Sequence, residues 1–298
     1  MNNVAEPTIQ ADRDPRRLSM PGADWKALTA EQKEEFFEQA DREIHEIGIL
    51  VVANVLTEQQ CDEFVEIIRK EIRTATRMER ALYEKQGPTK GYKVRNFQQR
   101  HPAALELITH PLVVEYFRRY LGPKMVLHSS EGVIIPPGTE DGPIHRDGYD
   151  LIPDYFLSMN SIYYLCDTTE ENGATRYAPG THEELFVSNE EVRQRKFKYA
   201  EVKKGDLVLF NPYLVHASSA NRSNAERPVI INYYQRGYIK QEFDYTRMLS
   251  VVEAKKLTKD QRILLGYEQR MPHDIDELYL IGSSKAALAD FDPAGYDN

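Results

Sequence analysis

The chain is poor in cysteine and lacks any long apolar run. Among its 298 residues, Cys61 and Cys166 are the two cysteines, which are too few for a disulfide framework and typical of a reducing cytosol. No stretch approaches 18 consecutive apolar residues, so we expect no transmembrane helix. The opening segment MNNVAEPTIQADRDPRR contains acids and no apolar core, which argues against a secretory signal. These absences predict a soluble, cytoplasmic protein.

An excess of positive charge is also missing. The formal net charge is −9, and acidic and basic residues alternate along the sequence without forming blocks. A nucleic-acid-binding face usually shows clustered Lys and Arg. We therefore expect a small-molecule substrate as the partner, and neither a nucleic acid nor a membrane. The sequence leaves the oligomeric state open.

The N-terminal part of the chain is polar at first and then helical. Residues 1–28 predict a loosely ordered arm. Thr29 and Gln32 match a capping box at the start of a helix that ends at Gly48. Three further elements are predicted, namely a buried strand at 49–56, a helix capped by Thr57, and a helix over about 102–121 that ends at Gly122.

Strand patterns replace the helical ones from Lys124 onward. Five segments alternate with Gly, Pro and Asn turns, and they read VLHSSEGVIIPPG, YFLSMNSIYYLCD, ATRYAPG, GDLVLFNP and RPVIINYYQRGY. Strands that follow helices predict an α+β fold with a β-sandwich or barrel at its centre. We assign residues 29–240 to this domain and 241–298 to a C-terminal helical extension.

Three residues have the side chains and the spacing of an iron site. In a strand, His145 and Asp147 would share one face, and His216 follows 69 residues after Asp147 at the end of another strand-like run. Two His and one carboxylate form the facial triad that holds non-heme Fe(II) and leaves three positions open. A bare His-x-Asp pair is a weak signal, since a histidine also packs in cores. Arg227, eleven residues beyond His216, adds a possible clamp for a carboxylate of a co-substrate.

This part of the chain resembles the phytanoyl-CoA dioxygenase family of Fe(II)/2-oxoglutarate oxygenases. The segments that carry the resemblance are HRD at 145–147, ENGATRYAPGTH at 171–182, KKGDLVLFNPYLVHASSANRS at 203–223, and Arg227, and a weaker likeness covers about 40–240. The resemblance implies a double-stranded β-helix, which is a jelly-roll or cupin-like barrel, with the metal at one mouth and helices packed on it. It also implies Fe(II), 2-oxoglutarate and O2 as cofactor and co-substrates.

The resemblance assigns roles to individual residues. His145, Asp147 and His216 would be the iron ligands, and Arg227 would pair with the distal carboxylate of 2-oxoglutarate. The residues expected to assist at the co-substrate or the substrate are Ser218, Thr175 and Arg95. One departure is Gly142, where several members of the family carry a polar side chain such as Gln.

The implied activity is hydroxylation, or another C–H oxidation, of a small-molecule metabolite with release of succinate and CO2. Two other classes stay open, namely a Zn-dependent hydrolase that uses the same three ligands and a barrel that binds without catalysis. The C-terminal extension and the loop at 149–160 are possible lids over the barrel mouth. In that loop, the side chains of Tyr149, Leu151, Tyr155 and Phe156 would either wall the substrate pocket or pack in the core.

Overall fold

The computed structural model of the protein is an α+β fold in which two β-sheets enclose an apolar core and helices cover the larger sheet. The structure describes residues 13–21, 24–87, 90–148, 152, 155–184, 189–269 and 271–272. Within this part of the chain, no helix combines the length and the apolar composition that crossing a bilayer requires.

Among the residues that the structure describes, ten strands form two sheets. They are β1 (Arg17–Ser19), β2 (Ile49–Ala53), β3 (Tyr92–Arg95), β4 (Val126–Ile135), β5 (Ser158–Tyr164), β6 (Thr175–Tyr177), β7 (Lys198–Tyr199), β8 (Leu207–Phe210), β9 (His216–Ser218) and β10 (Arg227–Gln235). The large sheet has the order β1-β2-β8-β5-β10-β4-β3, and the small sheet has the order β7-β6-β9. Neighbours are antiparallel except β1 and β2. The predicted double-stranded β-helix is confirmed.

The large sheet has two different faces because successive side chains of a strand point to opposite sides. Its inner face shares one apolar cluster with the small sheet, and members of that cluster are Val133, Ile162, Tyr177, Phe210 and Val229. Its outer face packs against the helices in a second, larger cluster. A side chain on the inner face therefore points into the barrel, which is where a site between the sheets would lie.

The described part of the chain contains eight α-helices. They are α1 (Ala30–Glu46), α2 (Glu58–Arg73), α3 (Arg77–Gln86), α4 (Pro102–Leu107), α5 (Pro111–Leu121), α6 (Asn189–Gln194), α7 (Val251–Ala254) and α8 (Lys259–Leu264). The capping box of Thr29 and Gln32 is present at the start of α1, as predicted. Helix α3 was not predicted, although Thr76 and Glu79 form another capping box there, and it buries no side chain.

The single helix predicted over 102–121 is wrong, because the structure has two helices in this range. Pro111 is the cause. A proline disfavours helical dihedrals in the residue before it, and His110 has φ −52° and ψ 123°. Proline is well tolerated in a first turn, so α5 begins at Pro111 itself.

The part of the N-terminal arm that the structure describes is bound to the barrel. Strand β1 extends the large sheet beside β2, and Trp25 is 3% exposed. Arg17 contacts the buried carboxylate of Asp206 through Nε and Nη2, at 2.8 and 2.7 Å. The described residues 13–21 and 24–28 of the predicted arm therefore make specific contacts with the rest of the protein. Two arginines of the arm form ion pairs, Arg13 with Glu43 of α1 and Arg17 with Asp206 beside β8.

The described residues of the C-terminal extension lie on the outer face of the large sheet. Tyr245 and Leu264 are fully buried in the outer apolar cluster. Gln241 donates from Nε2 to the carbonyl of Leu127 on β4, at 2.6 Å. This segment packs beside the barrel, and Glu242 extends from it to the barrel rim, where it forms an ion pair with Arg95.

Candidate metal centre

The three predicted iron ligands come together at one end of the barrel. His145 pairs with His216 of β9, and each N–H donates to the carbonyl of the other residue, at 2.9 and 3.0 Å. The N–H of Asp147 donates to the carbonyl of Pro212, at 2.8 Å. One donor atom from each of the three side chains lies within 4.8 Å of the others. The backbone on both sides of the barrel therefore brings two imidazoles and one carboxylate to one point.

Both imidazoles present the same nitrogen to this point. Nδ1 of His145 lies 2.9 Å from the carbonyl of Pro143, and Nδ1 of His216 lies 2.8 Å from the carbonyl of Leu214. A proton on Nδ1 leaves Nε2 free to bind a metal, and such a bond also fixes the ring. The Nε2 atoms lie 3.2 Å and 3.5 Å from oxygens of Asp147. The residues present therefore fit a facial triad for iron.

The charges at the centre favour a bound cation. Burial opposes ionisation of Asp147, but the hydrogen bond from His145 and the attraction of both imidazoles lower its pKa below the ordinary value. The hydrogen bond to Asp147 raises the pKa of His145, against the effect of burial. Burial lowers the pKa of His216, which keeps that ring neutral. A bound metal ion would attract the Asp147 carboxylate in the same direction as the two imidazoles do.

Two side chains that sequence reasoning missed hold Asp147 in place. Nδ2 of Asn160, on the inner face of β5, donates to Oδ2 of Asp147 at 2.6 Å. The hydroxyl of Tyr233, on β10, lies 3.2 Å from the carbonyl of Asp147 and 2.8 Å from Oγ of Ser158. Neither belongs to a recognisable motif. The alternation of β5 and β10 places both inside the barrel, and the cross-strand register that makes them neighbours is not visible in the sequence.

Arg227 is a buried cation at the first position of β10. The residue is 4% exposed, and its Nε has no hydrogen-bond partner. Within the described residues, no carboxylate lies at ion-pair distance from its guanidinium. Burial lowers its pKa, with partial compensation from Tyr164. Arginine nevertheless keeps its proton in proteins, and an unpaired buried charge is costly. Such a side chain requires an anion, and a carboxylate of a ligand would supply it.

Hydroxyl groups connect this arginine to the metal centre. The hydroxyl of Tyr164, which interacts electrostatically with Arg227, lies 3.1 Å from Oγ1 of Thr175. Thr175 on β6 is the cross-strand partner of Ser218, which shares β9 with His216. The structure thus links Arg227, through Tyr164, to Thr175 and Ser218, and Ser218 is two residues from His216 on β9. Tyr164 is a further member of this group that sequence reasoning missed, because it reads there as one more apolar strand residue.

The glycine that departs from the family pattern has a structural reason. The N–H of Gly142 donates to the carbonyl of Ser218 at 2.9 Å. A Cβ atom added at Gly142 would lie 2.2 Å from Oγ of Ser218. The serine hydroxyl occupies the space that a side chain at position 142 would need, so a larger residue there requires Ser218 to move.

Arg95 lies away from the Arg227 group. On β4, the partner of Arg95 is Glu131, whereas the partner of Arg227 is Ile135, and these two positions are roughly 13 Å apart along the strand. Arg95 Nη1 contacts Glu131 at 3.2 Å and Glu242 at 2.5 Å. Its contacts give no support to a role at the co-substrate carboxylate, and they leave a role near the substrate open.

The Arg95 ion pairs belong to a charged rim on one side of the barrel mouth. Glu131 shares the inner face of β4 with Val133 and is 12% exposed at its side chain. Lys93 contacts the other oxygen of Glu131 at 3.3 Å, and its charge lowers the pKa of His145 slightly against the larger opposing effects. We call Lys93, Arg95, Glu131 and Glu242 the charged rim.

The residues predicted to wall the pocket are only partly described. Tyr149 and Leu151 lie outside the described residues. Tyr155 is 38% exposed and stacks under the guanidinium of Arg236 at 3.8 Å. Phe156 packs on Tyr120, with ring centroids 4.5 Å apart. Tyr155 therefore is accessible to a ligand, whereas Phe156 has the core-packing role that the sequence left as an alternative.

Comparison with known sequences gives one family and several relatives. A model of the phytanoyl-CoA dioxygenase family matches residues 44–229. The uncharacterized protein Rv1501 of Mycobacterium tuberculosis is 27% identical over 176 residues, which are 57% of this chain and 64% of that protein. Dioxygenase FUM3 of Gibberella moniliformis is 26% identical over 181 residues, 58% and 59% of the two chains. The Fe(II)/2-oxoglutarate-dependent dioxygenase nvfF of Aspergillus novofumigatus is 33% identical over 130 residues, 40% and 42%. The chain thus spans less than two thirds of the length of these relatives.

Comparison with solved structures supports the fold. HygX from Streptomyces hygroscopicus, solved with nickel and 2-oxoglutarate bound, superposes with a TM-score of 0.56 at 16% identity, over 72% of this chain and 90% of that one. The non-heme alpha ketoglutarate dependent carbocyclase SnoK from nogalamycin biosynthesis gives a TM-score of 0.55 at 20% identity, over 71% and 86%. At these identities the likeness shows a shared fold.

Proposed function

The chain belongs to the phytanoyl-CoA dioxygenase family, and from that membership we propose that it is an Fe(II)/2-oxoglutarate-dependent dioxygenase. It would oxidise a C–H bond of a small-molecule substrate and release succinate and CO2. His145, Asp147 and His216 would hold the iron. Relatives named as dioxygenases of this kind support the proposal.

The observation that carries the proposal is the buried guanidinium of Arg227, which has no acid partner among the described residues and is linked through Tyr164, Thr175 and Ser218 to the strand of His216. A metal triad alone is compatible with several chemistries. A buried cation without an acid partner additionally requires an anionic ligand. 2-Oxoglutarate has the matching shape, because one end can bind the metal while its distal carboxylate reaches the arginine. A bidentate pair with Arg227 fixes both position and orientation.

The chain's own residues define what the site can do. Two neutral imidazoles and one carboxylate leave a bound Fe(II) with one formal positive charge, which attracts a dianionic co-substrate. When bound, iron with 2-oxoglutarate supplies the activation of O2 for C–H oxidation. Tyr164 and Thr175 position hydroxyls beside Arg227, and Ser218 offers a further one from the face of β9 that carries His216. Apolar side chains of the inner face exclude water around the reactants.

Two other functions are compatible with the triad and less so with its surroundings. A Zn-dependent hydrolase needs three such ligands and a bound water, but it has no use for a buried arginine that lacks a partner. A non-catalytic barrel has no need for three ligands whose rings and carboxylate are each fixed by hydrogen bonds.

The substrate proposed is a small molecule with polar groups. The charged rim places two carboxylates and two cations beside the metal centre, where a purely aliphatic chain would lose their hydration without replacing it. Structures of the same fold support a small molecule of this kind, since HygX has also been solved with hygromycin B bound.

A co-substrate turnover assay tests the proposal. The protein is incubated with Fe(II), ascorbate, O2 and 2-oxoglutarate, with and without each member of a panel of small metabolites. We expect succinate to form in the presence of Fe(II) and to increase with a true substrate. Zn(II) in place of Fe(II) should give none. Hydrolysis of an ester or amide panel by the Zn(II) form, without succinate from the Fe(II) form, would replace this proposal by the hydrolase.

A further inference from the structure

Three neighbouring strands place one side chain each against the metal ligands. In the register of the large sheet, Asn160 pairs with Phe210 of β8 on one side and with Tyr233 of β10 on the other. The ring of Phe210 contacts His216 with centroids 5.1 Å apart. Asn160 bonds the carboxylate of Asp147, and Tyr233 bonds its carbonyl. A single row across the rigid sheet therefore supports ligands that themselves lie on other segments.

The direction of the hydrogen bond between Asn160 and Asp147 is fixed by chemistry. A carboxylate only accepts hydrogen bonds, so the amide nitrogen of Asn160 must face it. The donor lies 2.6 Å from Oδ2, which is also 3.5 Å from Nε2 of His216, whereas Oδ1 has no bond to Asn160 and lies 3.2 Å from Nε2 of His145. Asn160 is 1% exposed, so water does not compete for this bond.

We propose that Asn160 is a positioning residue which engages Oδ2 of Asp147 and thereby presents Oδ1 to the metal as a single-oxygen ligand. This inference rests on the metal site of the proposed function. Its consequence is a coordination number. A carboxylate that binds through one oxygen leaves three positions open on an octahedral metal, whereas a carboxylate free to turn and bind through both oxygens would leave two.

The unused atom of the same amide supports this role. Oδ1 of Asn160 is buried and has no hydrogen-bond partner in the part of the chain that the structure describes. An asparagine kept only for packing would be replaceable by an apolar residue without an unsatisfied acceptor. The one hydrogen bond that this amide makes among the described residues is its donor bond to Asp147.

A second buried asparagine provides a matched control. Asn232 on β10 is 0% exposed, and neither of its amide atoms has a partner among the described residues. It lies next to Tyr233 in the chain and so faces the helices, away from the metal centre. Asn232→Ala removes the same atoms from the neighbouring strand without touching Asp147.

The test measures binding of Mn(II) together with 2-oxoglutarate by calorimetry and by the electron paramagnetic resonance spectrum of Mn(II). It compares the wild type with Asn160→Ala, the isosteric Asn160→Asp, and Asn232→Ala. Thermal unfolding of the metal-free proteins reports folding. We expect both Asn160 variants to weaken Mn(II) binding roughly 10- to 100-fold and to change the spectrum. Asn232→Ala should stay within about threefold of the wild type.

The outcomes separate this inference from the proposed function. A wild type that binds no Mn(II) would remove the metal site and with it the proposed function. A wild type that binds Mn(II), with Asn160→Ala equal to Asn232→Ala in affinity and spectrum, would overturn the positioning role alone. Should Asn160→Ala fail to fold, Asn160→Asp keeps the shape and exchanges the donor for an acceptor. Unchanged Mn(II) affinity in Asn160→Asp would likewise overturn the positioning role of Asn160.

Discussion

His145 and His216 form a reciprocal backbone pair, and their rings lie 4.4 Å apart between centroids. The pair joins the segment after the Pro-Gly turn to a strand of the small sheet. Because two backbone hydrogen bonds fix the spacing, the rings are held for metal binding before any metal arrives. Sites that are organised in advance lose little free energy to ordering when the ligand binds.

Metal binding should depend on all three ligands. Anaerobic addition of Fe(II) and 2-oxoglutarate to the wild type should produce a weak visible absorption band from metal-to-ligand charge transfer. His216→Ala and Asp147→Ala should each abolish it, because each removes one of three donors that lie within 4.8 Å. A band of wild-type intensity in the double variant would contradict the assignment.

The co-substrate requirement should depend on Arg227. Removing one side of a buried charge pair costs about 3–5 kcal/mol, so Arg227→Ala should raise the 2-oxoglutarate requirement about a hundredfold or more. Arg227→Lys should also be poor, because an ammonium does not form the planar bidentate contact. Arg95→Ala is the control. Its ion pairs lie at the charged rim, and we expect a change of less than about threefold. Titration of 2-oxoglutarate in the turnover assay measures these values.

Without a bound anion, Arg227 should lower the unfolding free energy of the protein. Arg227→Met replaces the buried, unpaired guanidinium by an apolar chain of similar length. We expect the ligand-free protein to gain about 1–3 kcal/mol of unfolding free energy. Adding Mn(II) and 2-oxoglutarate should then stabilise the wild type more than the variant. Urea unfolding measures both effects. If ligand-free Arg227→Met is less stable than the wild type, the guanidinium of Arg227 does not lack a partner in the ligand-free protein.

The product should contain oxygen and no halogen. Halogenating oxygenases with this type of site lack the carboxylate ligand, whereas Asp147 is present here and its charge repels an incoming anion. Reaction under labelled O2 with excess chloride should add one labelled oxygen atom to the substrate, as read by mass spectrometry. Loss of two hydrogens would indicate desaturation or ring formation instead. A chlorinated main product would refute this prediction.

Acid should destabilise the protein partly through His182. Burial lowers the pKa of His182 to about 4, and its Nε2 lies 3.1 Å from the carbonyl of His45. The unfolded chain takes up the proton near its ordinary pKa, so stability falls as pH drops from about 6.5 towards 4. At pH 4.5 the loss from this group is about 2.5 kcal/mol. Urea unfolding should show that the unfolding free energy of His182→Gln falls less between pH 7 and 4.5 than that of the wild type, by about this amount. Parallel curves for the two proteins would exclude the effect.

The sequence predicted the parts of this protein that local pattern determines. The capping box at Thr29 and the long strands β4, β5 and β10 follow from side-chain periodicity, and the structure has them. Spacing and resemblance together singled out His145, Asp147, His216 and Arg227, and the fold brings the three ligands to one point. These features depend on residues close in the chain or on motifs.

Features that depend on cross-strand register were not predictable. Asn160 and Tyr164 lie in a strand whose seven residues are all buried, so nothing local separates a metal-supporting amide from a packing residue. Their roles depend on hydrogen-bond partners that are distant in the chain, namely Asp147, 13 residues from Asn160, and Thr175, 11 residues from Tyr164. The break between α4 and α5 could have been predicted from Pro111, because a proline disfavours a helical conformation in the residue before it, here His110. The helical periodicity on both sides of Pro111 obscured this break.

Strand β1 protects the edge of the large sheet. Strand β2 has five consecutive buried residues, Ile49–Ala53, and without β1 its backbone groups would form an open edge that could template pairing with another molecule. Strand β1 is a poorer template for such pairing, because it has three residues and the side chains of Arg17 and Ser19 are exposed. The bond from Arg17 to Asp206 thus ties this guard strand in place. Loss of β1 should therefore appear first as aggregation of the protein.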